Sequence, residues 1–186
     1  EKDFVSGLSA LRQAVTFFPN NVETRVVSKR MINEFSSIYT DGTADSMTPL
    51  TALSMYDQFR ELTPVGRRGD RIIQRLADRL VEVDLLDRAS VLLDRQVKFR
   101  LRGKQKAIVG SKLALIRLLD RQPRLALDAL NESVSPGLDS RLALERKRLR
   151  SRSVFELGDS ESALKLIKND DSRNCLLYTS DAADEV

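Results

Sequence analysis

Cations are the side chains of this sequence best placed to carry chemistry. The chain holds 22 Arg and 9 Lys against 27 acidic residues, no His and one Cys. Without imidazole, His-based acid–base catalysis, Ser-His-Asp triads and the common zinc sites fall away. The arginines are clustered. Arg67, Arg68, Arg71, Arg75 and Arg79 crowd one predicted helix, and Arg141, Arg146, Lys147, Arg148, Arg150 and Arg152 crowd another. Arg75–Arg79, Arg146–Arg150 and Arg148–Arg152 are i,i+4 pairs, which share helix faces. The planar guanidinium fork suits carboxylates, and a cation stripe can neutralise phosphates. The plainer reading is a solvated face in an arginine-rich protein, diluted by Asp78, Asp87, Glu145 and Glu156. Aromatic residues to stack on bases are few.

Other short strings have plain structural readings. Ser162-Ala163-Leu164-Lys165 spells Ser-x-x-Lys, but on a predicted helix. Asp84, Asp87 and Asp94 could gather a metal; capping and solvating helix ends is the readier role. Gly66-Arg67-Arg68-Gly69 is too short for a phosphate loop and follows no strand. In Arg68-Gly69-Asp70, Gly69 is read as loosening the backbone and Asp70 as capping the next helix. Asn131-Glu132-Ser133 is a formal glycosylation sequon inside a helix. No cofactor and no metal is expected.

The elements that must position the cations are helices. Hydrophobic residues make up 41% and charged residues 31%, with 8 Gly and 5 Pro, a helix-forming composition. No stretch approaches the roughly 18 apolar residues of a membrane span. Apolar stripes of helical period run through Phe4, Leu8, Leu11 and Val15, then through Val22, Val26, Val27, Met31, Ile32 and Phe35. Thr48-Pro49 reads as a helix start. A further run starts near Asp70, and Asp84-Leu85-Leu86-Asp87 turns the chain. Helices follow near 105–119, 123–133, 139–157 and 160–168.

An internal repeat organises these helices. Ala52, Ala89, Ala126 and Ala163 recur every 37 residues. Twelve residues before the last three stand Ala77, Ala114 and Ser151. Two antiparallel helices joined by a short turn approach closely only where neither presents a large side chain. A hairpin cannot bury its apolar face alone, so such units stack on their neighbours.

This small–small spacing resembles the tetratricopeptide (TPR) repeat. Gly7, Leu11, Ala14 and Pro19 match the small, bulky, small and helix-ending positions of a TPR second helix. The stretch from Phe59 to Asp70 onward resembles large TPR proteins of alphaproteobacteria, over most of 50–168. There are departures: the period is 37 rather than 34, and Ile73, Gly110 and Lys147 stand where Trp is favoured. The resemblance implies a right-handed α-solenoid of stacked helix-turn-helix repeats. Divergent units are expected at 1–62. Three hairpins are expected at 63–174, near 70–103, 107–140 and 144–174.

Residues 175–186 resemble a translated sequencing adapter over eleven consecutive residues, Cys175 to Glu185, and are set aside as non-native. Without them the net charge rises from +4 to +7, because the tail carries Asp181, Asp184 and Glu185. The chain opens on Glu1, so a fragment of a longer protein is expected. A cytoplasmic place is the expectation, with a leader or anchor left open.

The functional expectation is a non-catalytic scaffold for a protein or peptide partner, favouring acidic ligands. Arg75, Arg79, Lys112, Arg117 and Arg148 are the expected partner-binding residues. The alternatives are a nucleic-acid-binding solenoid using the arginine stripes, and an assembly arm of a larger enzyme.

Overall fold

The computed structural model describes residues 3–18 and 22–168. Among them the chain is all-α. Helices α1 (Phe4–Phe17), α2 (Val22–Thr40), α3 (Pro49–Gln58), α4 (Arg67–Glu82) and α5 (Leu86–Phe99) precede α6 (Gly103–Leu119), α7 (Pro123–Glu132), α8 (Ser140–Glu156) and α9 (Ser160–Ile167). Two 3-10 turns, Ala44–Ser46 and Arg60–Leu62, flank α3. The chain forms two compact units, divided between Leu101 and Arg102. Pro19 and the segment 175–186 lie outside the described residues.

In the first unit, α1 packs on α2, α4 packs on α2 and α3, and α5 pairs with α4. Thr48 starts α3: its hydroxyl accepts from the Thr51 amide at 3.2 Å, and Pro49 occupies the first turn. Phe35, Tyr39, Tyr56 and Phe59 fill the core. The rings of Phe35 and Tyr39 lie 5.2 Å apart, and Tyr39 meets Tyr56 edge-on at 6.2 Å. The Tyr39 hydroxyl donates to the Ala52 carbonyl at 2.9 Å, and burial pushes its pKa up.

Several expectations for this unit need correction. Helix α4 begins at Arg67, before Asp70, with Gly66 at φ +76° as its N-cap. Asp70 therefore lies within the first turn, where its carboxylate accepts from Arg100 Nε at 3.0 Å. Gly69 is needed for space: a Cβ there would lie 1.9 Å from the Pro64 carbonyl oxygen. On α1, Gly7 and Ala14 are exposed, and nothing approaches a Cβ at Gly7, so neither makes the close helix contact expected of it. Val26, placed on the apolar stripe of α2, is 67% exposed; Met31 and Phe35 of that stripe are buried, and Ile38 and Tyr39 extend the buried face.

In the second unit, α6 pairs with α7 and α9 with α8, while α8 packs across both α6 and α7. Asp139 caps α8 by accepting from the Leu142 amide at 2.9 Å, and Asp159 caps α9 from Ser162 at 3.0 Å. Gly110 faces Ser133 so closely that a Cβ would lie 1.9 Å from its Oγ.

The 37-residue repeat has a physical counterpart in both units. Ala77, Ala89, Ala114 and Ala126 are fully buried, as nearly are Ser151 and Ala163. They belong to the paired helices α4/α5, α6/α7 and α8/α9. Each pair is joined by one left-handed residue: Asp84 (φ +59°), Arg121 (φ +55°) and Gly158 (φ +93°). The next amide then reaches back five residues: Leu85 to the Leu80 carbonyl (2.8 Å), Gln122 to Arg117 (2.8 Å), Asp159 to Val154 (3.2 Å). This is the Schellman closure of a helix end.

Candidate basic cleft

The expected partner-binding cations lie in different surroundings. Arg75 and Arg79, on α4, are turned onto the segment after α2. Arg75 Nη2 pairs with Asp45 at 2.9 Å, and Arg79 donates to the Ala44 and Met47 carbonyls at 2.6 and 2.5 Å. Both therefore hold the 41–48 link in place. Arg117 is only 8% exposed and donates to the Leu125 carbonyl at 2.9 Å, tying α6 to α7. Lys112 is half-buried on α6, and Arg148 is exposed on α8. Arg75 and Arg79 belong to the first unit, the other three to the second.

A different set of cations converges in the second unit. A cleft of about 270 Å³ opens between the end of α7, the 133–139 link and α8. Leu130, Val134, Leu138 and Ala143 form its apolar walls, with Ser135 at the link. Its polar side is Arg146, Lys147 and Arg150, with no carboxylate in the lining.

The repeat register explains why these cations are unusual. Stepping back 37 residues at a time, Arg146 stands where Val109 and Ile72 stand, both 1% exposed. Lys147 replaces Gly110 and Ile73, and Arg150 replaces Leu113 and Leu76. The face that is apolar core on α4, and still largely so on α6, is cationic on α8.

Arg146 remains inside despite its charge, at 9% exposure. Its guanidinium donates to the Ala107 carbonyl at 2.8 Å, Ser133 Oγ at 3.1 Å, Ser111 Oγ at 3.3 Å and the Leu130 carbonyl at 2.6 Å. These oxygens are neutral. Burial, then the nearby Arg150 charge, lowers its pKa from the ordinary arginine value. Four acceptors on α6, α7 and the C-cap of α7 thus fix the Arg146 side chain of α8. Arg150 Nη2 donates to Asn131 Oδ1 at 2.8 Å. Lys147, half-buried, has no partner among the described residues.

A second cleft, of about 420 Å³, lies in the first unit between Leu53, Asp57 and Arg60 on one side and Arg88, Val91, Leu92 and Arg95 on the other. It is also basic, but Asp57 stands among its arginines.

Neither cleft was singled out by the i,i+4 arginine pairs alone. Those pairs mark shared helix faces without saying which face meets a neighbouring hairpin. For the α8 cleft, aligning the three hairpins at 37 residues carries the missing signal, because Arg146 and Arg150 then fall on core positions. Among the described residues no three His, Cys, Asp or Glu gather closely enough to hold a metal ion, and no helix is long and apolar enough to cross a membrane. No family model matches the chain, and no curated protein or solved structure matches it either.

Proposed function

We propose that this chain is a non-catalytic helical-repeat scaffold that holds a protein or peptide partner. On this reading its hairpins are TPR-like units of a right-handed α-solenoid, and its cations favour an acidic partner. The observation that supports it most is the recurrence of one hairpin, with the same small-residue contact and the same left-handed turn, at 37-residue intervals. The packing inside each unit agrees with such stacking: α4 rests on α2 and α3, and α8 rests on α6 and α7. Repeated hairpins stacked in register create extended surfaces suited to binding chains rather than to enclosing small substrates.

The test is affinity capture from a bacterial lysate on the immobilised chain, with and without nuclease, followed by titration of each purified partner. The expected result is a defined protein that survives nuclease and binds directly, more weakly as salt rises. Loss of every bound protein on nuclease treatment, with direct binding of oligonucleotides, would replace this reading with the nucleic-acid one.

A further inference from the structure

We infer that the α8 cleft receives one carboxylate side chain from a partner's peptide segment, together with an apolar neighbour. The inference rests on the scaffold reading and names the chemistry of its ligand.

Three observations carry it. The cleft concentrates Arg146, Lys147 and Arg150 without a lining carboxylate, at positions that are apolar or glycine in the two preceding hairpins. Cations drawn together on half-buried surface repel one another, and an incoming carboxylate relieves that repulsion. The geometry is held in advance, because the four oxygens around Arg146 fix the buried cation against α6 and α7. Lys147 has no partner among the described residues, and the bond of Arg150 to Asn131 uses one of its nitrogens. Both retain donors for an oxyanion.

The size and walls select among anions. A volume of about 270 Å³ lies just below the roughly 300–1,000 Å³ of typical small-molecule pockets, so a side chain fits better than a whole nucleotide. No aromatic ring lines the cleft to stack on a base. Val134, 70% exposed, and Leu138 offer apolar surface beside the cations, which suits an aliphatic residue next to the acidic one. The first-unit cleft differs in containing its own carboxylate, Asp57.

The experiment uses the full chain, 15N-labelled, and three short amidated peptides in a Gly-Ser background. One carries Glu beside Leu, one Gln beside Leu, and one phosphoserine beside Leu. Lys147→Met and Arg150→Met, combined, remove both charges and keep apolar stems. Arg146 is left intact because it belongs to the fold. The Glu peptide is expected to shift amide signals across 130–150 at millimolar concentration. The Gln peptide is expected to bind at least tenfold more weakly, and the double variant to lose at least tenfold for Glu while its free spectrum otherwise overlays the parent.

Equal binding of Glu and Gln peptides, tighter binding of phosphoserine than of Glu, no shift with any peptide, or undiminished binding by the double variant would each overturn the assignment. Failure of this inference is separable from failure of the scaffold. A captured partner retained equally by parent and double variant sinks the cleft and leaves the scaffold. Capture of no partner, with the Glu-dependent shift intact, sinks the scaffold reading alone.

Discussion

Arg121 and Gly158, 37 residues apart, hold the same left-handed turn at φ +55° and +93°. The amides that follow them close the same five-residue bond, Gln122 to Arg117 and Asp159 to Val154. Left-handed backbone costs a residue with a Cβ about 1–2 kcal/mol, and glycine escapes that cost. Arg121 is exposed, so its side chain has little packing to lose. Arg121→Gly is therefore expected to raise the unfolding free energy by about 1 kcal/mol, read from a urea titration. A lower midpoint would mean that the arginine contributes more to the fold than its backbone costs.

Gly110 and Gly7 are both helical, yet they predict opposite outcomes. A Cβ at Gly110 would lie 1.9 Å from Ser133 Oγ and 2.2 Å from Ser133 Cβ, whereas nothing lies within 4 Å at Gly7. Gly110→Ala should force α6 and α7 apart and cost about 1–3 kcal/mol, more than the roughly 1 kcal/mol of added helix propensity returns. Gly7→Ala should instead stabilise by about 0.5–1 kcal/mol. Thermal melts of the two variants decide it; an equal shift in the same direction would refute the close approach at Ser133.

Ala126 tests the repeat contact itself. It is fully buried on α7, the helix paired with α6. Ala126→Arg would drive a long charged side chain into that contact, where charge burial and overpacking both oppose it. A loss of cooperative unfolding, or a melting temperature well below that of an exposed control such as Arg124→Ala, is expected. Coincident melts for the two variants would count against the 37-residue register.

Much of this arrangement was legible in the residues. Thr48-Pro49 announced α3 because the hydroxyl and the missing amide hydrogen are both local signals. The alanines at 37-residue intervals announced buried contacts, because close helix approach excludes larger side chains. What failed was local reasoning about positions decided by tertiary contact. Asp70 looks like a cap in sequence, but Arg100 and the approach of Pro64 to Gly69 place it inside α4. Arg117 is expected from its charge to face a partner. It occupies the register of Leu80, which is fully buried, and is itself drawn inside. Arg148 is exposed on α8, while its neighbours Arg146, Lys147 and Arg150 line the cleft, a distinction that depends on how α8 meets α7 and not on local spacing. The left-handed turn at Arg121 had no glycine to mark it.

Arg79 gives a prediction about the link between α2 and α3. Its two guanidinium bonds, to the Ala44 and Met47 carbonyls, hold that link against α4. A hydrogen bond to a charged group is worth about 1.5–3 kcal/mol. Arg79→Met should destabilise by about that amount for one such bond or somewhat more. It should also speed hydrogen exchange across 42–48 before it affects α6–α9. Exchange that rises uniformly along the chain would show that the clamp is not local to the link.

Asp139 makes the acid response of the second unit testable. Its carboxylate accepts from the Leu142 amide at 2.9 Å and pairs with Lys104 at 2.7 Å. The Lys104 hydrogen bond first, then the amide, lowers its pKa below the ordinary aspartate value. A carboxyl whose folded pKa is depressed stabilises the fold above its unfolded pKa, near 3.9, and loses that contribution as pH falls through the folded value. Asp139→Asn keeps the cap but removes the titrating charge. The parent should therefore melt above the variant at neutral pH, and the gap should close as pH drops below about 4. Because the ion pair is exposed at the surface, raising the salt concentration at neutral pH should narrow the same gap. A gap that stays constant from neutral to acid pH would show that Asp139 acts on α8 only as a neutral cap, with no contribution from its charge.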